Sequence, residues 1–273
     1  MGYQALGLDM DGTVLSSEKI ITPRTFEAMQ RALEAGKHVF FATGRCPSEV
    51  REHLDRFPNM RYVMCLSGAL VLDVKENRIL HEATLPRSVT EQVLAAARQV
   101  DAMVSVYAGD DVFVERRERP NMDYYNCTCF APLYDHCAVW VDDITEALER
   151  QPRRIHKVNI YCHTPEDWHR AGQLLQPLPV AYAQGIPNNF EVSPKGMDKG
   201  VGLEMLCRAM GISMEEAIAV GDEGNDLAMV RAAGLGVAMG NASEAVKAAA
   251  DVITGDCDHD GVADVIDIYL LAE

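Results

Sequence analysis

Hydrophobic and polar positions follow two rhythms along this chain, and the switch between them marks its organisation. Over the first 70 residues, short unbroken apolar runs alternate with stretches of helical spacing. Residues 5–8, 39–42 and 62–66 are apolar at consecutive positions, a pattern expected of strands covered on both faces. Between the first two, Phe26, Met29 and Leu33 share one helical face. Thr22 stands ahead of them as N-cap, Pro23 takes the first helical position, and Gly36 stops the run. A second helix is expected over 48–56. Residues 69–83 alternate instead around a Lys-Glu-Asn turn, which predicts a hairpin.

The rhythm changes near residue 84. A helix over 89–100 precedes an alternating pair in VSVYAGDDVFVE and an irregular stretch at 116–137. A strand at HKVNIYC, a helix over 165–175 and a strand near VAYAQ follow. From Lys199 the first rhythm returns. Helices are expected over 200–210, 226–233, 243–249 and 261–271, with strands at 217–220, 235–238 and 252–253 between them. This alternation predicts an α/β fold: a doubly wound, Rossmann-like parallel sheet. The core is expected from residues 1–83 and 189–273, with an α+β domain inserted at 84–188.

Composition narrows the function classes. The 273 residues are 48% hydrophobic and carry a formal charge of −16. That charge disfavours nucleic acid and anionic membrane surfaces as partners. No apolar stretch reaches the ~20 residues that span a bilayer, and the N-terminus has no leader pattern, so the expected compartment is cytoplasmic. No obligate protein partner is evident. Eight cysteines in a chain this long suit reduced, packed thiols better than a disulfide scaffold. Cys127, Cys129, His136 and Cys137 are zinc-ligand types, but their spacing fits no common zinc pattern. The acidic run from Asp256 to Gly261, with Asp267 beyond, approaches a calcium-loop pattern, yet the preceding residues read as a strand rather than an entering helix.

The chemistry gathers at strand ends, where doubly wound sheets bind ligands. Asp9 and Asp11 follow the first strand. Thr43, Gly44 and Arg45 follow the second, and Asp222, Asn225 and Asp226 follow the strand at 217–220. Converging carboxylates need a cation or upward pKa shifts to coexist. An all-oxygen set suits a hard ion such as Mg²⁺. With Lys199, these groups make a kit for gripping a phosphoryl group.

Taken in order, Asp9-x-Asp11-Gly12-Thr13, Thr43-Gly44-Arg45, Lys199 and Gly221-Asp222-x-x-Asn225-Asp226 resemble the four motifs of the haloacid dehalogenase superfamily of phosphatases. The long insert and the segment GVAMGNASEAVKAAADVIT, followed by DGVADVI, resemble its Cof-type branch with a large α+β (C2B-type) cap. The resemblance implies Asp9 as nucleophile and Asp11 as general acid and base. It implies Mg²⁺ on Asp9, the Asp11 backbone carbonyl and Asp222, with Asp226 near, and phosphate held by Thr43, Gly44, Asn225 and Lys199. Arg45 adds positive charge beside them. The expected activity is Mg²⁺-dependent hydrolysis of small phosphorylated metabolites, sugar phosphates first. A phosphomutase or phosphotransferase, or a non-catalytic phosphate-binding or signalling protein, stands as the alternative. Two departures from the family pattern stand out: Ser67-Gly68-Ala69 in place of Asn-Gly-Ala, and Asp198, which could pair with Lys199.

Overall fold

A computed structural model describes residues 2–272. They divide into two compact units. One runs to Gly44 and adds Glu52–Glu82 and the chain from Asp198 onward; the other comprises Arg45–Arg51 and Ala83–Met197.

In chain order the elements are β1 (Ala5–Leu8), α1 (Pro23–Glu34), β2 (His38–Ala42), α2 (Pro47–Asp55), β3 (Tyr62–Cys65), β4 (Leu70–Asp73) and β5 (Arg78–Glu82). There follow α3 (Arg87–Ala97), β6 (Ala102–Ala108), β7 (Asp111–Glu115), α4 (Ala131–Cys137), β8 (Ala138–Val141), α5 (Ile144–Arg150), β9 (Lys157–Cys162), α6 (Pro165–Leu175), β10 (Val180–Ala183) and β11 (Asn189–Pro194). The chain ends with α7 (Lys199–Met210), β12 (Ala217–Gly221), α8 (Leu227–Ala232), β13 (Leu235–Ala238), α9 (Glu244–Ala249), β14 (Val252–Ile253) and α10 (Gly261–Val265), which continues as a wider turn over Ile266–Leu270.

The first unit is the expected α/β core. Among the described residues its sheet has eight strands in the order β14-β13-β12-β1-β2-β3-β4-β5. The six from β14 to β3 are parallel, and the β4–β5 hairpin extends the sheet antiparallel. Both sheet faces are covered, which is why the strands carry no polar alternation. Phe40, Ala42, Met64 and Ala219 pack on Leu203 and Leu206 of α7 and Met229 of α8. On the opposite face Phe41 meets Phe57, which also meets Phe26 of α1. Thr22 accepts from the Thr25 amide and caps α1 as its sequence predicts. Such caps are worth about 1 kcal/mol.

The second unit is built on a six-stranded sheet, β10-β11-β9-β6-β7-β8, antiparallel except where β8 joins β7. One face is apolar: Val106, Phe113, Val158, Ile160 and Val192 pack with α3 and α6 through Val93 and Leu175. The alternate positions Ser105, Tyr107, Lys157, Asn159, Tyr161 and Glu191 are polar and nevertheless buried. Tyr134 of α4 joins them, its hydroxyl lying 2.8–3.2 Å from those of Ser105, Tyr107 and Tyr161. Burial pushes the tyrosine hydroxyls up, away from ionisation. Asn159 Oδ1 and Glu49 Oε1 are buried without a hydrogen-bond partner among the described residues.

Three sequence expectations need adjustment here. Asn189–Pro194, assigned above to the core, is an inner strand of the second sheet, so this unit reaches Met197. Its sequence NFEVSP alternates because one sheet face is polar. The irregular stretch contains α4, and the chain beyond it forms β8 and α5; these short elements escape a periodicity test. Asp198 does not pair with Lys199 in the hydrogen-bond pattern; it caps α7, accepting from the Val201 amide at 2.9 Å.

Candidate active site

Asp9 leaves the end of β1 with its amide donating to the Val220 carbonyl at 3.0 Å. The turn that follows folds back on itself: the Thr13 and Leu15 amides donate to the Met10 carbonyl. Gly12 makes this possible. Its φ is +85°, and a Cβ there would stand 2.2 Å from Asp222 Oδ2. Gly12→Ala is therefore expected to cost about 1–3 kcal/mol from backbone strain and to push the turn off Asp222, with most catalytic turnover lost. A chemical-denaturation curve and a rate measured side by side would check both effects.

Asp222 follows β12, and the turn at Gly224–Asp226 brings Asp226 beneath it. Lys199, the first residue of α7, has no exposed surface. Its ammonium donates to Asp9 Oδ1 and to Asp226 Oδ1, each at 2.5 Å. The other Asp226 oxygen accepts from the Asp222 and Glu223 amides at 2.9 and 3.1 Å. Asp226 is thus engaged on both oxygens, as a brace for the turn and the lysine. Asp222 Oδ1 accepts from the Thr13 hydroxyl at 3.0 Å.

The carboxylates of Asp9, Asp222 and Asp226 bring ligand atoms within 4.8 Å of one another. Three buried carboxylates against one ammonium leave a surplus of two negative charges. The crowding shows in the proton affinities of Asp9 and Asp222. Burial, then the charge of Asp226, raises the Asp9 carboxyl well above the usual range, although Lys199 pulls the other way. Burial and Asp226 together push Asp222 up to about 7. Burial works to lower the Lys199 ammonium, but Asp226 and Asp9 outweigh it and the pKa is raised. A hard divalent cation fits this set in both donor type and charge.

The other expected residues are placed as follows. Thr43 is buried at the end of β2, its amide donating to the Met64 carbonyl and its carbonyl accepting from Ser67. Leu66, Ser67 and Gly68 all have positive φ, and Gly68 passes so close to the Asp198 carbonyl that a Cβ would lie 2.3 Å from it. This contact ties the turn after β3 to the start of α7. Asn225 is half-buried in the turn with Asp226. Asp11 is half-exposed and paired with Lys19 at 3.0 Å. Arg45 belongs to the second unit, where its guanidinium donates to the Glu49 carbonyl; Gly44 closes only the N-terminal segment of the first unit.

Sequence reasoning missed Lys19, the anchoring role of Thr13, and Asn241. The Asn241 amide donates to the Gly12 carbonyl at 2.8 Å and to Asp222 Oδ2 at 3.4 Å. It lies in GVAMGNASEAV, a segment read only as a family signature. The calcium-like loop is spent on other bonds. Asp258 accepts from the Ser17 amide and hydroxyl, Asp260 from Thr22 and Thr25, and Asp267 from Arg31. Of the zinc-type residues, Cys127 contacts Met103 sulfur and Cys137 the Leu133 carbonyl. In the stretch after β7, Arg117 pairs with Glu115 and Glu118, Arg119 with Asp135, and Tyr124 and Tyr125 donate to Asp101.

A sequence profile of the haloacid dehalogenase-like hydrolases matches residues 6–266. The chain belongs to that family. Pyridoxal phosphate phosphatase YbhA of Escherichia coli is 26% identical over 99% of this chain and 100% of its own. A haloacid dehalogenase-like hydrolase from Bacillus subtilis superposes with a TM-score of 0.88 at 25% identity, covering 97% of this chain and 99% of its own. The subclass IIB sugar phosphatase BT4131 does so at 0.82 and 26%, covering 97% and 98%. The Cof-type resemblance and the α/β fold are borne out. The expectation of a phosphoric monoester hydrolase is met at the level of this family of hydrolases and its named phosphatases.

Proposed function

We propose that this hydrolase is a Mg²⁺-dependent phosphatase of small phosphorylated metabolites, with sugar phosphates the first class to test. The observation that carries the reading is the buried triad of Asp9, Asp222 and Asp226 around the Lys199 ammonium. The relatives named for pyridoxal phosphate and for sugars support small esters as substrates.

In this reading Asp9 attacks phosphorus in line. The P–O bond to the leaving group breaks as Asp11 gives that oxygen its proton, and an aspartyl-phosphate forms on Asp9. Asp11 then takes a proton from water, whose oxygen attacks phosphorus. Inorganic phosphate leaves and Asp9 is regenerated. Lys199, Thr43, the Gly44 amide and Asn225 hold the phosphoryl oxygens, and Arg45 contributes positive charge. Asp9, the Asp11 carbonyl and Asp222 would hold Mg²⁺, with Asp226 bracing the turn. Once bound, the ion supplies charge that stabilises the transferring phosphoryl group. We assign the insert to residues 84–197 and the choice of leaving group to it. Its polar sheet face, which carries the unpartnered Oδ1 of Asn159, suits a leaving group rich in hydrogen-bond donors.

No helix among the described residues is long and apolar enough to cross a membrane, and all eight cysteines are free thiols. Free thiols suit a reducing compartment, and the cytoplasm is the one proposed.

The test is phosphate release from a panel of phosphorylated metabolites with and without Mg²⁺. Release that requires Mg²⁺ supports the reading, and Asp222→Ala should raise the half-saturating Mg²⁺ concentration at least tenfold. Isomerised product without free phosphate would point to a mutase instead. No turnover on any ester would sink the proposal.

A further inference from the structure

We infer that Asn241 is a positioning residue for the proposed phosphatase site: its amide holds the turn after Asp9 in register with Asp222. The inference rests on the functional reading above and adds a residue outside the four motifs to which that reading gives roles.

The geometry is specific. Asn241 Oδ1 accepts from the Cys257 backbone amide at 2.9 Å. Only an oxygen can accept there, so the NH₂ group must face the other way. It donates to the Gly12 carbonyl at 2.8 Å and reaches toward Asp222 Oδ2 at 3.4 Å. One side chain therefore joins three segments remote in sequence: the turn after β1, the turn after β12 and the acidic loop before α10. Asn241 is itself held by its surroundings. The Ser243 amide donates to the Asp222 carbonyl at 2.9 Å, and Asp258 of the acidic loop binds Ser17 at 2.8 and 2.9 Å. The acidic loop, unexplained by the proposed chemistry, becomes the outer support of this brace.

The consequence is mechanical. Gly12 adjoins Asp11, whose backbone carbonyl and side chain both have roles in the reading, and a Cβ at Gly12 would collide with Asp222. The turn and the carboxylate thus touch, and the Asn241 amide fixes their spacing from the solvent side, where the residue is exposed. Groups that orient metal-binding carboxylates in this way typically matter 10–100-fold in metal affinity or activity.

Two variants separate positioning from simple loop tethering. Asn241→Ala loses every bond. Asn241→Asp keeps an acceptor for Cys257 but presents a carboxylate to the Gly12 carbonyl and to Asp222. If Asn241 positions the site, calorimetric titration with Mg²⁺ alone gives an affinity for the alanine variant about 10–100-fold below wild type. The aspartate variant then falls at least tenfold in kcat, with KM changed less. If Asn241 only tethers the acidic loop, the aspartate variant keeps wild-type turnover and the inference fails. It also fails if the alanine variant binds Mg²⁺ within twofold of wild type. A wild-type protein that neither binds Mg²⁺ nor releases phosphate would instead overturn the functional reading, and this inference with it.

Discussion

Asp9→Asn is expected to lower phosphate release by about 10⁴-fold or more, the scale on which removing a covalent nucleophile acts, while the chain stays folded. The structure argues for the second half as firmly as for the first. Burial and the Asp226 carboxylate oppose ionisation of Asp9, so its charge costs stability at neutral pH. An asparagine of the same shape keeps an oxygen for Lys199 and removes one member of the repelling set. The melting temperature of the metal-free variant should therefore equal or exceed that of wild type. A folded variant with more than a few per cent of the wild-type rate would remove Asp9 from its role. A variant that loses both rate and melting temperature would show that the carboxylate is needed for the fold and would leave no support for a purely chemical part.

What could be read in advance was decided by physics acting over short stretches of chain. Unbroken apolar runs at 5–8, 39–42 and 217–220 announce strands covered on both sides, and the residues ending them are polar because the sheet stops there. Motif residues at those ends are legible because each is fixed by its own strand. Asn189–Pro194 was misassigned because a buried polar face looks like solvent exposure in sequence; only pairing with β9 identifies it. Asp198 looked like a partner for its neighbour Lys199, but a residue at a helix start faces the free amides of the first turn, and it caps them. Asn241 was invisible for a different reason. Its partners lie 229 and 19 positions away, and no local period records a contact made by chain closure. Arg45 shows the limit from the other side: a motif neighbour of Gly44 in sequence that falls into the other compact unit.

The largest stability effect should come from Lys199→Met. The methionine fills similar volume without charge, so the change isolates the ammonium. Lys199 is wholly buried between Asp9 and Asp226, with both contacts at 2.5 Å. Removing one member of such a group leaves buried charge without compensation and typically costs 3–5 kcal/mol, about the whole stability of a weakly stable domain. Phosphate release should vanish with it, since the same ammonium is proposed to grip the phosphoryl oxygens. Two further measurements keep the charge argument testable even if the single variant folds poorly. Saturating Mg²⁺ should restore more stability to the variant than to wild type, because the cation then meets a larger surplus of negative charge; at about 100 times Kd, binding alone contributes roughly 2.7 kcal/mol. Adding Asp226→Asn to Lys199→Met should recover much of the loss, because lysine and one carboxylate then leave together. If denaturation curves gave a loss below about 1 kcal/mol for Lys199→Met, or no recovery in the pair, the buried charges would not be balancing one another. The case for a cation-dependent site built on Asp9, Asp222 and Asp226 would then lose its physical basis.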